Sequence, residues 1–442
     1  MSHVTDEEIG RFLSGGLEKR EYLRVLRHLV SQCSPCQERL GLYAPVLFSS
    51  SAPPPASQPP EDTTYDEVIN RVLARALAVA PRWHEERRQI GVAAERLRKN
   101  PRAEVDDLAH WSLVEALIRL SQEARYNDPG EMYELAFLAE FASRHLDPER
   151  YSPGQVADLR IRALAELANA RRVNEDLDGA EEAFAKAALL SDRRSGDPLV
   201  MARVLDLLAS LRRTQRQLAE AIDLLDTVHG LYKECGESHL AGRALISEGI
   251  CTHYDGRPQD AVKLLRKGIS MLEPGLDPQL DISSQENLLY SLVDSGKLRE
   301  ARRLLLESGL RQKLADEPVN LLKLRWVEGK ISAGQGNLDQ AVATFEEVRE
   351  GFLQRGMEYD AALLGLELME VWLRQGRNAE VREMAEEVLD TFEELKVKLE
   401  AQRAVRFLEA ACRQELATPV LVQKVVSFLR RLEWTPGLQF AP

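Results

Sequence analysis

The chain has 442 residues, a formal net charge of −13 and only 6% aromatic residues, a length that allows two to four domains. The acidic balance excludes non-specific wrapping of nucleic acid. No apolar run approaches the roughly 18 to 20 residues that span a bilayer, and residues 1–20 lack the apolar core of a secretory signal. We therefore expect a cytoplasmic protein that contacts neither membrane nor nucleic acid directly. The abundance of Ala, Leu, Glu and Arg predicts an all-α fold.

The N-terminal segment carries signals for three short helices. Thr5 and Glu8 have the spacing of a capping box, in which each side chain accepts a hydrogen bond from the other's backbone amide. A first helix would run to about Leu13, and two glycines would end it. Apolar periodicity predicts a second helix over 17–30 and a third over 37–47.

Four potential metal ligands lie in this same segment. His28, Cys33 and Cys36 stand close together, and His3 can join them if the first two helices fold antiparallel. Two cysteines separated by two residues wrap one face of a zinc ion, which takes about four nitrogen or sulfur ligands. The pattern predicts a Zn²⁺ site in a segment too small to bury a core. The alternatives are a chance cluster of surface residues and a catalytic zinc with three protein ligands and water, although His3 as fourth ligand argues against catalysis.

The segment also resembles the zinc-binding anti-sigma family. The resemblance rests on the turn at Gly16, a helix that ends in His-Leu at His28, and the closing Cys33-x2-Cys36. The family usually has one residue fewer between this His and the first Cys. The resemblance implies that residues 1–47 form an anti-sigma-like head that binds a sigma factor of the extracytoplasmic-function type.

Composition divides the rest of the chain. Residues 48–62 are rich in Pro and Ser, which predicts a linker. Residues 63–110 are predicted to be a helical N-terminal part of the following domain, 111–432 a repeat domain, and 433–442 a tail.

A repeat of about 40 residues is the clearest pattern in the chain. One small residue recurs after each hairpin turn, and we call these positions the anchors: Ala180, Ala221, Ala261, Ala301, Ala341 and Val381. Five residues before each of the last four stands a glycine: Gly256, Gly296, Gly336 and Gly376. Glycine at these places predicts a helix C-terminus in the left-handed conformation.

A second small residue lies twelve positions before the anchor in three repeats, at Ala168, Ala209 and Gly249. This pattern resembles the tetratricopeptide repeat family, with longer repeats than its usual period of about 34. HEAT-type repeats also suit a period near 40. Leu289 and Val381 depart from the pattern because each is larger than expected. The resemblance implies a right-handed α-solenoid of helical hairpins, capped by a last pair over 401–432.

The resemblance also implies a concave groove lined by the first helix of each hairpin. The groove residues would be Asn169, Arg172, Arg203, Arg213, Arg243, His253, Tyr290, Lys323, Trp326 and Lys330. This set is basic and carries two large aromatics, which favours an acidic or carboxylate-bearing peptide. The alternative is an ordinary solvated helix face.

The sequence carries no motif for a phosphate-binding loop, a nucleophile elbow or a metalloprotease helix, so we expect a protein that is not an enzyme. Our interpretation is a bacterial regulator in which an anti-sigma-like zinc head is joined to a repeat domain that captures a protein or peptide. The alternative is a scaffold whose zinc head is only a structural staple and whose partner is not a sigma factor.

Overall fold

The computed structural model describes residues 111–125, 127–435 and 437–441, together with six positions near the N-terminus. All regular structure in these residues is helical, as the composition predicted, and none of them lies in a strand. None of their helices is both long enough and apolar enough to cross a bilayer. The predicted third helix, the linker and the helical segment 63–110 lie outside the described residues.

The capping box near the N-terminus is confirmed. The backbone amide of Thr5 donates to Glu8 Oε2 at 2.9 Å, and the amide of Glu8 donates to Thr5 Oγ1 at 3.2 Å. Two amides that a helix start leaves unpaired are thereby satisfied.

The helices of the described region are numbered in chain order. They are α1 Trp111–Ala124, α2 Pro129–Ser143, α3 Pro148–Tyr151, α4 Pro153–Val173, α5 Leu177–Ala188, α6 Pro198–Thr214, α7 Leu218–Glu234, α8 Ser238–Tyr254, α9 Pro258–Ile269, α10 Pro278–Asp294, α11 Leu298–Glu307, α12 Leu310–Lys313, α13 Pro318–Gly334, α14 Leu338–Leu353, α15 Glu358–Gln375, α16 Asn378–Glu394, α17 Leu399–Arg413 and α18 Pro419–Trp434. Proline opens many of them because its fixed φ suits the first helical position and its missing amide costs nothing there.

Polar side chains cap several of these proline starts. The carboxylate of Asp128 accepts from the Glu131 amide at 2.9 Å at the start of α2, and that of Asp277 accepts from the Leu280 amide at 3.0 Å at the start of α10. The hydroxyl of Thr418 accepts from the Leu421 amide at 3.2 Å at the start of α18. The local sequence therefore sets where each of these helices begins.

Contacts divide the chain into two compact units. Unit 1 comprises Met1–Gln215 and Thr227–Ala241, and unit 2 comprises Arg216–Asp226 and Gly242–Pro442. In unit 1, the pairs α1 and α2 and α4 and α5 pack on one another. In unit 2, the pairs are α8 and α9, α10 and α11, α13 and α14, and α15 and α16. Each pair is a helical hairpin, and its earlier member is called the first helix below.

The core of unit 1 is built from small and aliphatic side chains. Leu117 of α1 and Leu159 of α4 are fully buried together with alanines of α2, including Ala139. A second cluster joins Phe184 of α5 to Leu211 of α6. Alanines at the crossings let neighbouring helices approach closely while the larger residues fill the space between them.

The core of unit 2 depends on close helix approaches at glycines. Gly249 of α8 faces Leu265 of α9, and a Cβ at this glycine would lie 2.8 Å from the leucine Cγ. Gly329 of α13 faces Phe345 of α14, where a Cβ would overlap the aromatic ring. Gly329 stands twelve residues before its anchor, so a small residue occurs there in a fourth repeat that the sequence analysis did not include.

The structure explains the repeat pattern. Every anchor is the fourth residue of its helix, and all six are at most 1% exposed. The four predicted glycines all have positive φ, between 75° and 87°. Glu175 and Arg216 take the same left-handed position before the first two anchors without being glycine. The two larger residues of the pattern, Leu289 and Val381, are also buried.

The last helix departs from simple stacking. Both helices of the predicted final pair are present as α17 and α18, but α18 packs more extensively on α15 than on α17. Its side chain Arg430 reaches Asp294 at the end of α10. Within unit 2, α18 therefore lies across the first helices of earlier hairpins instead of only closing the row.

Candidate functional site

Unit 2 contains an open cavity of about 1010 Å³. Its walls come from the first helices α8, α10, α13 and α15 and from α18. Successive first helices present equivalent faces because the hairpins repeat, so their side chains converge on one space. Among them are Tyr290 of α10, Trp326 of α13 and Glu370 of α15.

A network of charges crosses this cavity. Asp294 lies at its centre, 2.6 Å from Lys330 Nζ, 3.1 Å from Arg430 Nη1 and 3.5 Å from His253 Nε2. The other side of the Arg430 guanidinium donates to Glu367 Oε1 at 2.7 Å. Each cation thus has a carboxylate partner, and Arg430 joins two carboxylates from different helices.

The network shifts the pKa of its members. Burial by itself would raise the pKa of Asp294, but the charges of Lys330 and Arg430 outweigh it and hold that pKa well below its ordinary value. Burial lowers the pKa of His253, and Arg430 and Lys330 add to this effect while Asp294 opposes it. Asp294 is therefore the ionised centre of the network.

Aromatic side chains form another part of the wall. Tyr254 and Trp434 stack with ring centroids 3.9 Å apart and planes 10° from parallel, which ties the end of α18 to the end of α8. Burial, followed by the charge of Glu286, raises the pKa of Tyr290 above its usual range. The indole nitrogen of Trp326 is buried, and no hydrogen-bond partner for it occurs among the residues that the structure describes.

The cavity is balanced in charge, which differs from the basic groove that the sequence predicted. Its five basic residues are Lys323, Lys330, Arg374, Arg430 and Arg431. Its five acidic residues are Asp255, Asp294, Glu367, Glu370 and Glu433. The predicted set consists mainly of cations and aromatics from the first helices and lacks the carboxylates beside them and the residues of α18.

A second polar cluster lies in unit 1. The Arg172 guanidinium donates through Nε and Nη2 to Asn169 Oδ1, at 3.2 and 2.9 Å, and through Nη1 to Thr214 Oγ1 at 3.3 Å. Asn169 is only 2% exposed, so it holds the guanidinium in a fixed orientation. Burial, followed by the charges of Arg125 and Arg213, lowers the pKa of Arg172 to about 10.

Two other predicted groove residues lie outside both groups. Arg203 pairs with Glu166 at 2.8 Å and with Asp206 at 3.6 Å. Burial would lower the pKa of Arg203, but these two carboxylates outweigh it and raise that pKa. The charge of Arg203 is therefore compensated by carboxylates within unit 1. Arg243 is half-buried on α8 and does not line the cavity.

The ten predicted groove residues therefore fall into separate places. Five of them line the cavity of unit 2: His253, Tyr290, Lys323, Trp326 and Lys330. Asn169, Arg172 and Arg213 belong to the cluster in unit 1. Their role in binding stays a prediction. Asp294, Glu367 and Arg430 are not in the predicted set, and no short motif marks them because their partners are distant in the chain.

The predicted zinc ligands His3, His28, Cys33 and Cys36 lie outside the described residues. Within the residues that are described, no group of three or more His, Cys, Asp or Glu side chains could hold a metal ion.

Comparison with known proteins supports the repeat assignment. Residues 200–273 match the family model of the tetratricopeptide repeat. No curated protein sequence matches the chain. The match lies across α6 to α9, so tetratricopeptide repeats are shown for that part of the chain.

Two solved structures are similar to this chain. A Rap protein in complex with competence and sporulation factor is 11% identical, with a TM-score of 0.50, over 73% of this chain and 93% of its own. Aspartyl phosphate phosphatase F from Bacillus subtilis is also 11% identical, with a TM-score of 0.46, over 89% of this chain and 88% of its own. The first similarity shows a shared helical-repeat fold.

Proposed function

We propose that this tetratricopeptide-repeat protein binds a protein or peptide partner in the cavity of unit 2. The observation that carries the proposal is the convergence of polar and aromatic side chains from four first helices on one open space of about 1010 Å³. This volume is at the upper end of the range of about 300 to 1,000 Å³ that is usual for ligand sites. Tandem repeats use such faces as binding surfaces.

The lining favours a partner segment with both polar and apolar groups. The balanced charges give no net attraction for an acidic chain, whereas Tyr290 and Trp326 offer large faces for contact. The structurally similar Rap protein is in complex with competence and sporulation factor, which supports ligand binding by this fold.

Site-specific photo-crosslinking tests the proposal. A photoreactive amino acid at Lys323, inside the cavity, should crosslink to a partner in cells that make the full chain. The control places the same amino acid at Leu306, which is 76% exposed on α11 and outside the cavity. Crosslinking at neither position, or equally at both, would contradict binding in the cavity.

For the N-terminal segment we propose a zinc-binding, anti-sigma-like head, with a purely structural zinc staple as the alternative. The proposal rests on the sequence pattern of His3, His28, Cys33 and Cys36. Purified protein should contain about one zinc ion per chain, and replacing both cysteines by serine should remove it. Zinc retained by the double variant would refute this ligand set. Capture of a sigma factor by wild type and not by the double variant would separate the anti-sigma reading from the staple.

A further inference from the structure

Arg172 differs from Arg162 and Arg203, two other partly buried arginines of unit 1. Arg162 lies 2.6 Å from a carboxylate oxygen of Glu115, and Arg203 lies 2.8 Å from one of Glu166. Arg172 donates instead to the neutral oxygens of Asn169 and Thr214, and it has no carboxylate partner in the part of the chain that the structure describes. A half-buried charge is costly unless an opposite charge compensates it.

The surroundings of Arg172 add positive charge. Arg172 and Arg213 occupy the same place in successive repeats, eight residues before the anchors Ala180 and Ala221. Each lies in the last turn of its helix, α4 or α6, and Arg125 directly follows the last residue of α1. The charges of Arg125 and Arg213 both act on Arg172. Three helices of unit 1, α1, α4 and α6, thus carry a cation at their C-terminal ends.

We propose that Arg172 and Arg213, with Arg125 adding positive charge, form a binding site for an oxyanion such as a carboxylate or phosphate group. A guanidinium is a planar fork that grips two oxygens of such a group at once. Asn169 and Thr214 accept hydrogen bonds from only some of the N–H groups of Arg172, so the others stay available to a ligand. These hydrogen bonds also fix the plane of the guanidinium, so the site is oriented before the ligand arrives. The site lies in unit 1 and does not depend on the cavity of unit 2.

A structural role is the competing explanation. Cations near a helix C-terminus interact favourably with the helix dipole and its free carbonyls. Under that explanation, removing one of these charges lowers stability whether or not an anion is present. If the arginines form an oxyanion site, removing one of these charges in the absence of ligand should instead raise stability. The reason is that the like charges repel one another until the ligand compensates them.

The melting temperature of the full chain decides between them. Wild type, Arg172→Gln, Arg213→Gln and the control Arg193→Gln are titrated at constant ionic strength. Arg193 is exposed in unit 1 and its replacement changes net charge equally. The probes are inorganic phosphate, citrate, and amidated hexaglutamate with amidated hexaglutamine as its neutral counterpart. Beyond half-saturation, each tenfold rise in the concentration of an anion that binds should raise the melting temperature by about 1.5 °C.

We expect wild type and Arg193→Gln to respond, and Arg172→Gln and Arg213→Gln not to respond. A response to phosphate or citrate alone identifies a free oxyanion, and one to hexaglutamate alone identifies carboxylates of a peptide. Equal responses of all four proteins, or none in wild type, would overturn the proposal. If Arg172→Gln does not fold, Arg213→Gln decides alone. Without any probe and at low ionic strength, Arg213→Gln should melt higher than wild type, and a lower value would also overturn the proposal.

Discussion

Two half-buried arginines, one in each unit, differ in how their charge is compensated. In unit 2, Arg430 lies between Asp294 and Glu367 and donates to both carboxylates. In unit 1, Arg172 donates only to neutral oxygens and stands near two further arginines. The first arginine is compensated within its own unit, whereas the second is oriented but not compensated.

The difference is informative because the chain has carboxylates in excess. With 71 Asp and Glu residues against 58 Lys and Arg residues, a carboxylate beside Arg172 would be easy to supply. Charge compensation in unit 2 serves to hold α18 against the earlier helices. Arg172 in unit 1 also joins two helices, through its hydrogen bond to Thr214, but its charge is left uncompensated. A preformed cationic site of this kind is suited to an external anion.

Replacing each of the two arginines by methionine should lower the free energy of unfolding by different amounts. Arg430→Met leaves Glu367 without its cation and removes one from Asp294, so we expect a loss of about 2 kcal/mol in the free energy of unfolding. Arg172→Met removes a charge that repels its neighbours but also leaves the buried Asn169 oxygen without its donor, so its loss should be smaller, about 1 kcal/mol or less. Urea unfolding of both variants measures these values. Equal losses would show that the two arginines play the same structural role.

The sequence predicted local features better than distant ones. The anchors were found because a helix crossing demands a small residue at a fixed place in every repeat, as at Ala261 and Ala341. The turn glycines were found because only glycine takes the left-handed conformation freely. The packing of α18 on α15 could not be predicted, since amphipathic periodicity shows that one face is apolar and not which helix covers it. Arg430 and Asp294 are 136 residues apart, which no local pattern connects.

Two carboxyls of unit 2 also differ in whether neighbouring cations compensate their charge. Cations hold the pKa of Asp294 low, whereas burial and then the charge of Asp226 raise the pKa of Glu248 to about 7. Because Glu248 holds its proton more tightly in the folded state than in the unfolded one, the folded state loses stability as pH rises from about 4.5 to about 7. This cost is absent below that window and fully present above it.

Glu248→Gln should therefore stabilise the protein by about 1 to 2 kcal/mol at pH 8 and have little effect near pH 4.5. Urea unfolding at the two pH values measures the change. The control Glu346→Gln removes an exposed carboxylate on α14 and should change stability little at either pH. A gain for Glu248→Gln that is equal at both pH values would rule out titration of this carboxyl as the cause.

Substitutions in the turns that join the two helices of a hairpin should change stability less. Glu175 in unit 1 and Gly256 in unit 2 occupy the same left-handed position, with φ of 65° and 83°. A side chain in this conformation is strained, so Glu175→Gly should stabilise the protein by about 0.5 to 1 kcal/mol and Gly256→Ala should destabilise it by about 1 kcal/mol. Thermal unfolding of the two single variants measures both signs. If both substitutions destabilise, contacts of the Glu175 side chain outweigh its backbone strain, and the turns of the two units are not equivalent.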